Sequence, residues 1–321
     1  MCQKGLRLIT ISDVGEFGLI AAVTARLPQH SAVLLGPGDD AAVVAAPDRR
    51  VVASTDLLVE GRHFRRDWLS GYDLGRRAAA QNLADVVAMG AVPTALLVGL
   101  ACPGSLPLAW AEALADGLAA ECALVGASVV GGDVVGADAV TLAVTALGDL
   151  QGRRPVTRGG ARPGDVVVLA GRLGWSAAGL ALLGAGFRDG SLVDAFRRPE
   201  PPYAAGPALA TVGATAMIDV SDGLLADLGH IAEASRVAIV LDPTRFDLGP
   251  ELAAAAGVLG VDALAWVLTG GEDHALAATV PAVDVLPPGW RRIGRVADGA
   301  GVSVRGWQRP PSLAAGHDHF R

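Results

Sequence analysis

Short apolar runs with strand character alternate along the chain with segments of helical spacing, and this alternation restricts the fold to mixed α/β layers, an α+β class. Residues 41–46, 51–54, 94–101, 140–147, 166–170, 216–220, 237–241, 275–280 and 291–296 read as strands. Helical spacing marks 72–89, with Leu74, Ala78, the Ala79/Leu83 pair and Val86/Val87 as its apolar positions before Gly90, and also 106–124, 175–183 and the segment after Val220.

With 321 residues, the chain is about twice the usual domain length, which predicts two domains. The segment GDLQGRRPVTRGGARPGD, from Gly148 to Asp165, packs four arginines, five glycines and two prolines into eighteen residues. A boundary near residue 150 is expected there, giving domains 1–150 and 151–321.

Composition then excludes function classes. A net charge of -7 with dispersed arginines and 4% aromatic residues argues against nucleic-acid binding, by phosphate contacts or by base stacking. The uncharged stretch 86–111 is broken by Pro93, Pro103, Pro107, Gly90, Gly99 and Gly104, so no membrane span is expected. No continuous apolar run precedes Asp13, and the three cysteines, Cys2, Cys102 and Cys122, form no CxxC pair. A cytoplasmic protein with reduced thiols is the expectation.

One pattern carries chemistry. Acidic residues recur beside glycine or a hydroxyl at the expected ends of apolar segments: Gly38-Asp39-Asp40, Ser54-Thr55-Asp56, Asn82-Leu83-Ala84-Asp85, Gly131-Gly132-Asp133, Asp219-Val220-Ser221-Asp222-Gly223 and Gly270-Gly271-Glu272-Asp273. Singly, each is ordinary turn or N-cap chemistry. Together they offer hard oxygen ligands suited to Mg²⁺, whereas Zn²⁺ would call for closely spaced His and Cys. Asp85 differs in lying within a helical pattern, with Gln81 and Asn82 on nearly the same face. Arg158 is either a solvated linker charge or a guanidinium that clamps phosphate oxygens, and His63 either a surface histidine between arginines or a ligand contact. Neither a Walker GxxxxGK[ST] nor a GxGxxG is present, so bound ATP would need another architecture.

Taken in order, GEFGLI, GPGDDAAVV, STDLLVEGRHF, NLADVVAMGAVP, VVGGDVV, TRGGARPGD, LGWSAAGLALL, AMIDVSDGLLADLGHIAEAS and TGGEDHAL resemble the thiamine-monophosphate kinases of the PurM-like ATP-binding superfamily. The closing GHDHF is similar to the family's last segment. The resemblance implies an N-terminal domain that pairs in a homodimer, a C-terminal α/β domain, and ATP held between the domains by several Mg²⁺ ions. Carried onto this sequence, it implies metal ligands at Asp40, Ser54, Thr55, Asp56, Asp85, Asp133, Asp219 and Asp222. It also implies ATP contacts at Gly132, Asp133, Arg158 and Ser221, and thiamine-phosphate contacts at His63, Glu272 and His317. Asp56, Asp85, Asp133 and Arg158 would carry catalysis. Two departures stand out: GGEDHAL where relatives usually read GGEDYEL, and Gly316-His317-Asp318-His319-Phe320 where they tend to have Gly-Tyr-x-His-Phe.

The implied reaction transfers the γ-phosphoryl group of ATP to thiamine monophosphate, giving thiamine diphosphate and ADP. Its rivals are another PurM-like enzyme, such as aminoimidazole ribonucleotide synthetase or the hydrogenase-maturation type, and a non-catalytic Mg²⁺-dependent binder of thiamine phosphates. Hydrogenase-maturation chemistry would call for a Cys-ending tail, and this sequence closes on Phe320-Arg321.

Overall fold

A computed structural model describes residues 8–282, 285–308, 310 and 316. The chain divides into two compact units that interleave in sequence. One comprises the chain up to Ala46 with Ala53–Asn82 and Thr94–Leu147; the other comprises Pro47–Val52, Leu83–Pro93 and everything from Gly148 onward.

In the first half of the chain the elements are α1 (Ile11–Thr24), β1 (Val33–Leu35), β2 (Val43–Val44), β3 (Val52–Val59), α2 (Gly71–Ala88), β4 (Val92–Cys102), α3 (Leu108–Ala123), β5 (Ser128–Gly136) and β6 (Thr141–Asp149). Strands β3-β6-β4-β5 form a four-stranded sheet in that order, and β1 and β2 pair separately. Helices α2 and α3 meet backbone to backbone. A Cβ on Gly71 or Gly75 would lie 2.2 Å from the carbonyl of Trp110 or Leu114, and one on Gly117 would lie 2.1 Å from that of Tyr72. Glycine at these positions lets α2, which carries Gln81 and Asp85, pack without intervening side chains.

The second half contains β7 (Val166–Ala170), α4 (Trp175–Gly184), α5 (Ser191–Arg197), α6 (Ala205–Thr211), β8 (Ala216–Val220), α7 (Leu224–Ser235), β9 (Ala238–Leu241), α8 (Gly249–Leu259), α9 (Ala263–Thr269), β10 (Ala275–Val280), β11 (Trp290–Ala297) and β12 (Gly301–Val304). Its sheet runs β12-β9-β11-β7-β10-β8. Both faces are covered. Val167, Leu169, Ile218 and Ala277 join a core with Leu228, Ile231, Leu252 and Val267 of α7, α8 and α9. The alternate residues Val168, Met217, Leu276 and Ala278 join another with Val87, Leu209 and Trp290. Burial on both faces explains why these strands read as unbroken apolar runs instead of alternating ones.

Three local expectations change. The strand at 41–46 shrinks to Val43–Val44, and the one at 51–54 continues to Val59, so Asp56 sits within a strand and not at its end. Gly131-Gly132-Asp133 also lies inside a strand. The glycine pair is not a turn signal here: β5 runs parallel to β4 with an irregularity at Leu96/Leu97, and a Cβ on Gly132 would fall 1.8 Å from the Val98 carbonyl oxygen.

Among the described residues no single helix is long and apolar enough to cross a membrane, and the apolar pair α8 and α9 is bent by 112°. Cys102 and Cys122 are buried and unbridged, and burial pushes the Cys122 thiol up to about 12. Cys2 lies outside the described residues.

Candidate functional site

Within the second unit, the antiparallel pairing of β10 with β8 sets Ala275 opposite Val220 and Leu276 opposite Asp219. The loop that leaves β8, Ser221 to Gly223, therefore lies beside the loop that enters β10, Gly270 to His274. Glu272 N–H donates to the Ser221 carbonyl at 2.8 Å, and His274 N–H to that of Val220 at 3.1 Å. A Cβ on Gly271 would come within 2.1 Å of the Ser221 oxygen, so the GGED spacing is a close-approach requirement.

Three acidic side chains support these loops from below. Asp219 is buried, with Oδ2 3.1 Å from Nδ1 of His274. Asp227, on the first turn of α7, accepts the N–H groups of Asp222 and Gly223 at 3.1 and 3.0 Å. Burial, then the charges of Asp219 and Asp222, push its carboxyl up to about 7. Asp273 caps α4, accepting Gly174 N–H at 2.6 Å and Ser176 N–H at 2.8 Å. Its burial outweighs those donors and also pushes it up to about 7. Glu272 is half-exposed, with Oε2 4.0 Å from Nε2 of His274. Gly316, opening the closing segment, lies against the Asp222 carbonyl. His317 lies outside the described residues, as does His319.

The sequence pattern includes Asp273 as a candidate oxygen ligand, whereas here it caps a helix, and the pattern does not single out Asp227. The available signal for Asp227 was an acid in the first turn of the helical pattern that follows Gly223, where it reaches back to backbone N–H groups. Arg158 is exposed, and its carbonyl accepts the Ser235 hydroxyl at 2.9 Å, which fastens the TRGG segment to the end of α7.

In the first unit, β3 places Ser54 and Asp56 on one face and Thr55 on the other. The Thr55 hydroxyl donates to the Val144 carbonyl and lies 3.0 Å from the Thr145 hydroxyl, on the face away from Ser54 and Asp56, so its backbone is the part nearer to them. Gln81 Nε2 donates to Asp56 Oδ2 at 3.2 Å. After β3, His63 accepts the Val59 N–H at Nδ1, which places the proton of a neutral ring on Nε2. Asp133 is exposed on β5, at the opposite edge of the sheet from β3. Asp40 is exposed in the bend between β1 and β2, and Asp85 is half-buried in the part of α2 that belongs to the second unit. Among the described residues, no three His, Cys, Asp or Glu side chains are arranged to hold a metal ion by themselves.

The family model for AIR synthase related protein, N-terminal domain, matches residues 38–150, and that for the C-terminal domain matches 162–306. Thiamine-monophosphate kinase of Mycobacterium tuberculosis is 52% identical over 294 residues, covering 90% of this chain and 87% of that protein. The chain belongs to the thiamine-monophosphate kinase family.

Solved thiamine-monophosphate kinases share its two-domain PurM-like fold. The crystal structure of the enzyme from Stenotrophomonas maltophilia K279a has a TM-score of 0.79 at 35% identity, covering 91% of this chain and 97% of that one. AaThiL complexed with AMPPCP and TMP has a TM-score of 0.75 at 31% identity, covering 98% and 100%. The paired loops after β8 and before β10, with the buried carboxylates beside them, lie in the C-terminal half of this fold.

Proposed function

We propose that this chain is a thiamine-monophosphate kinase, transferring the γ-phosphoryl group of ATP to the phosphate of thiamine monophosphate. The observation that carries the reading is the likeness, over nearly the whole of both chains, to a solved kinase carrying AMPPCP and TMP.

The acceptor is already a nucleophile. Its second pKa is near 6, so it is largely ionised at neutral pH and needs no protein base. What remains is repulsion between two polyanions, and catalysis becomes positioning and charge stabilisation. Mg²⁺, when bound, supplies charge neutralisation between the phosphates. The residues present fit that ion: Ser54 with Asp56, and Asp219 with Asp222, are oxygen donors only. Mg²⁺ keeps several waters and takes one or two carboxylates alongside substrate phosphates, so it requires no preformed protein cage. Asp40, Asp85 and Asp133 complete the proposed ligand set, with Thr55 through its backbone. Gly132 offers exposed backbone to the nucleotide, Ser221 offers a hydroxyl, and Arg158 clamps phosphate oxygens.

His63 is suited to donate from Nε2 to the acceptor phosphate, because its Nδ1 is occupied by Val59 N–H. Glu272 offers a half-exposed carboxylate to the cationic rings. We also propose a homodimer through the first unit, supported by the exposure of Leu57, Leu97 and Val135 on strands of one sheet.

Initial rates of ADP release with each substrate varied in turn test the reading. Thiamine monophosphate should be turned over and free thiamine should not, and His63→Ala or Glu272→Ala should raise the acceptor KM far more than the ATP KM. Comparable turnover of free thiamine, or no ADP release with either acceptor, would sink it.

A further inference from the structure

We infer that His274 is a positioning residue, holding the Asp219 carboxylate in the orientation that serves the nucleotide-bound cation; this rests on the reading of Asp219 as a ligand given above. Asp219 is the penultimate residue of β8, a strand buried along its whole length, and a buried carboxylate persists only with a hydrogen-bonding partner. His274 Nδ1 meets its Oδ2 at 3.1 Å. Because a carboxylate only accepts, Nδ1 carries the proton, and the ring is aimed by that bond.

The backbone is bent to deliver this contact. Glu272 and His274 both have positive φ, 69° and 50°, a region that non-glycine residues seldom enter. Such strain at two of three consecutive residues persists where the surroundings enforce it. The enforcing contacts are His274 N–H to the Val220 carbonyl, Glu272 N–H to the Ser221 carbonyl, and the Asp273 carboxylate locked onto the start of α4. An ordinary type of loop would not place the imidazole alongside the last acidic residue of β8. Nothing else among the described hydrogen bonds reaches the Asp219 side chain.

The test is Mn²⁺ binding to the full-length protein, followed by electron paramagnetic resonance in the presence of AMPPCP, with thermal unfolding recorded in parallel. His274→Phe and His274→Gln should each weaken Mn²⁺ binding about tenfold. His274→Asn keeps an N–H donor at the Nδ1 position and tolerates positive φ, so it should stay within about threefold of wild type. In an Asp219→Asn background, His274→Gln should add no further loss. Wild-type binding by His274→Gln, or equal losses for Asn and Gln, overturns the inference even if Asp219→Asn binds weakly. Unchanged binding by Asp219→Asn instead overturns the ligand reading beneath it.

Discussion

The Gln81 amide donates to Asp56 Oδ2 at 3.2 Å, so a helix side chain steadies a carboxylate on the neighbouring strand β3. Asp56→Asn is expected to cost at least about 3 kcal/mol of transition-state stabilisation with the fold intact. Gln81→Leu removes only the support and should lower turnover about tenfold. Steady-state kinetics at saturating Mg²⁺, with circular dichroism as the fold control, measure both; near-wild-type turnover of Asp56→Asn would remove it from the reaction.

Asp273 makes stability depend on pH in a defined direction. Burial raises its folded pKa from 3.8 to about 7, so its contribution is complete below the lower value and is lost as pH rises through the upper one. Asp227, raised first by burial as well, acts with the same sign. Asp273→Asn should be less stable at about pH 5, since an amide cannot accept both N–H groups, and its gap from wild type should narrow by on the order of a few kcal/mol by about pH 8. Denaturant midpoints across that range decide it: a constant gap would mean that the carboxyl does not take up a proton on folding.

Gly75→Ala should destabilise the protein by about 1–3 kcal/mol, because its Cβ would sit 2.2 Å from the Leu114 carbonyl oxygen. Gly229→Ala in α7, where nothing lies within 4 Å, should instead stabilise by roughly 0.5–1 kcal/mol. Unfolding midpoints of the pair separate backbone contact from general glycine effects.

Arg158→Lys retains charge and loses the planar fork that engages phosphate oxygens in pairs. The ATP KM should rise while the acceptor KM holds, and unchanged ATP kinetics would reduce Arg158 to a surface residue of its segment. The main-chain anchor at Ser235 is untouched by the change, so stability should not move.

Much of the C-terminal sheet was legible because burial on both faces leaves runs with few other readings: residues 166–170, 216–220 and 275–280 match β7, β8 and β10 end to end. Strand β5 was hidden, since Gly131 and Gly132 look like a turn until Leu97 and Val98 of β4 are seen pressing against them. Ser54-Thr55-Asp56 was visible as a cluster, yet the strand's two-residue period sets Thr55 on the sheet face opposite the other two, where its hydroxyl meets Val144 and Thr145 of β6. The support at Asp227 is local, reaching back four and five residues to the N–H groups of Gly223 and Asp222, whereas that at Asp273 depends on N–H groups of α4 brought near by tertiary folding, so its cluster marks it as an oxygen donor and not as a cap.

The interleaving of the two units sets a timetable for synthesis. Val87 and Ala88, apolar and finally buried, leave the ribosome long before Leu209, Met217 and Leu276, with which they share a core. At about 5–20 residues per second, roughly ten to forty seconds separate Ala88 from Leu276. During that interval the end of α2 is a sticky surface awaiting its cover, and codon usage or chaperone supply over this stretch becomes a determinant of yield.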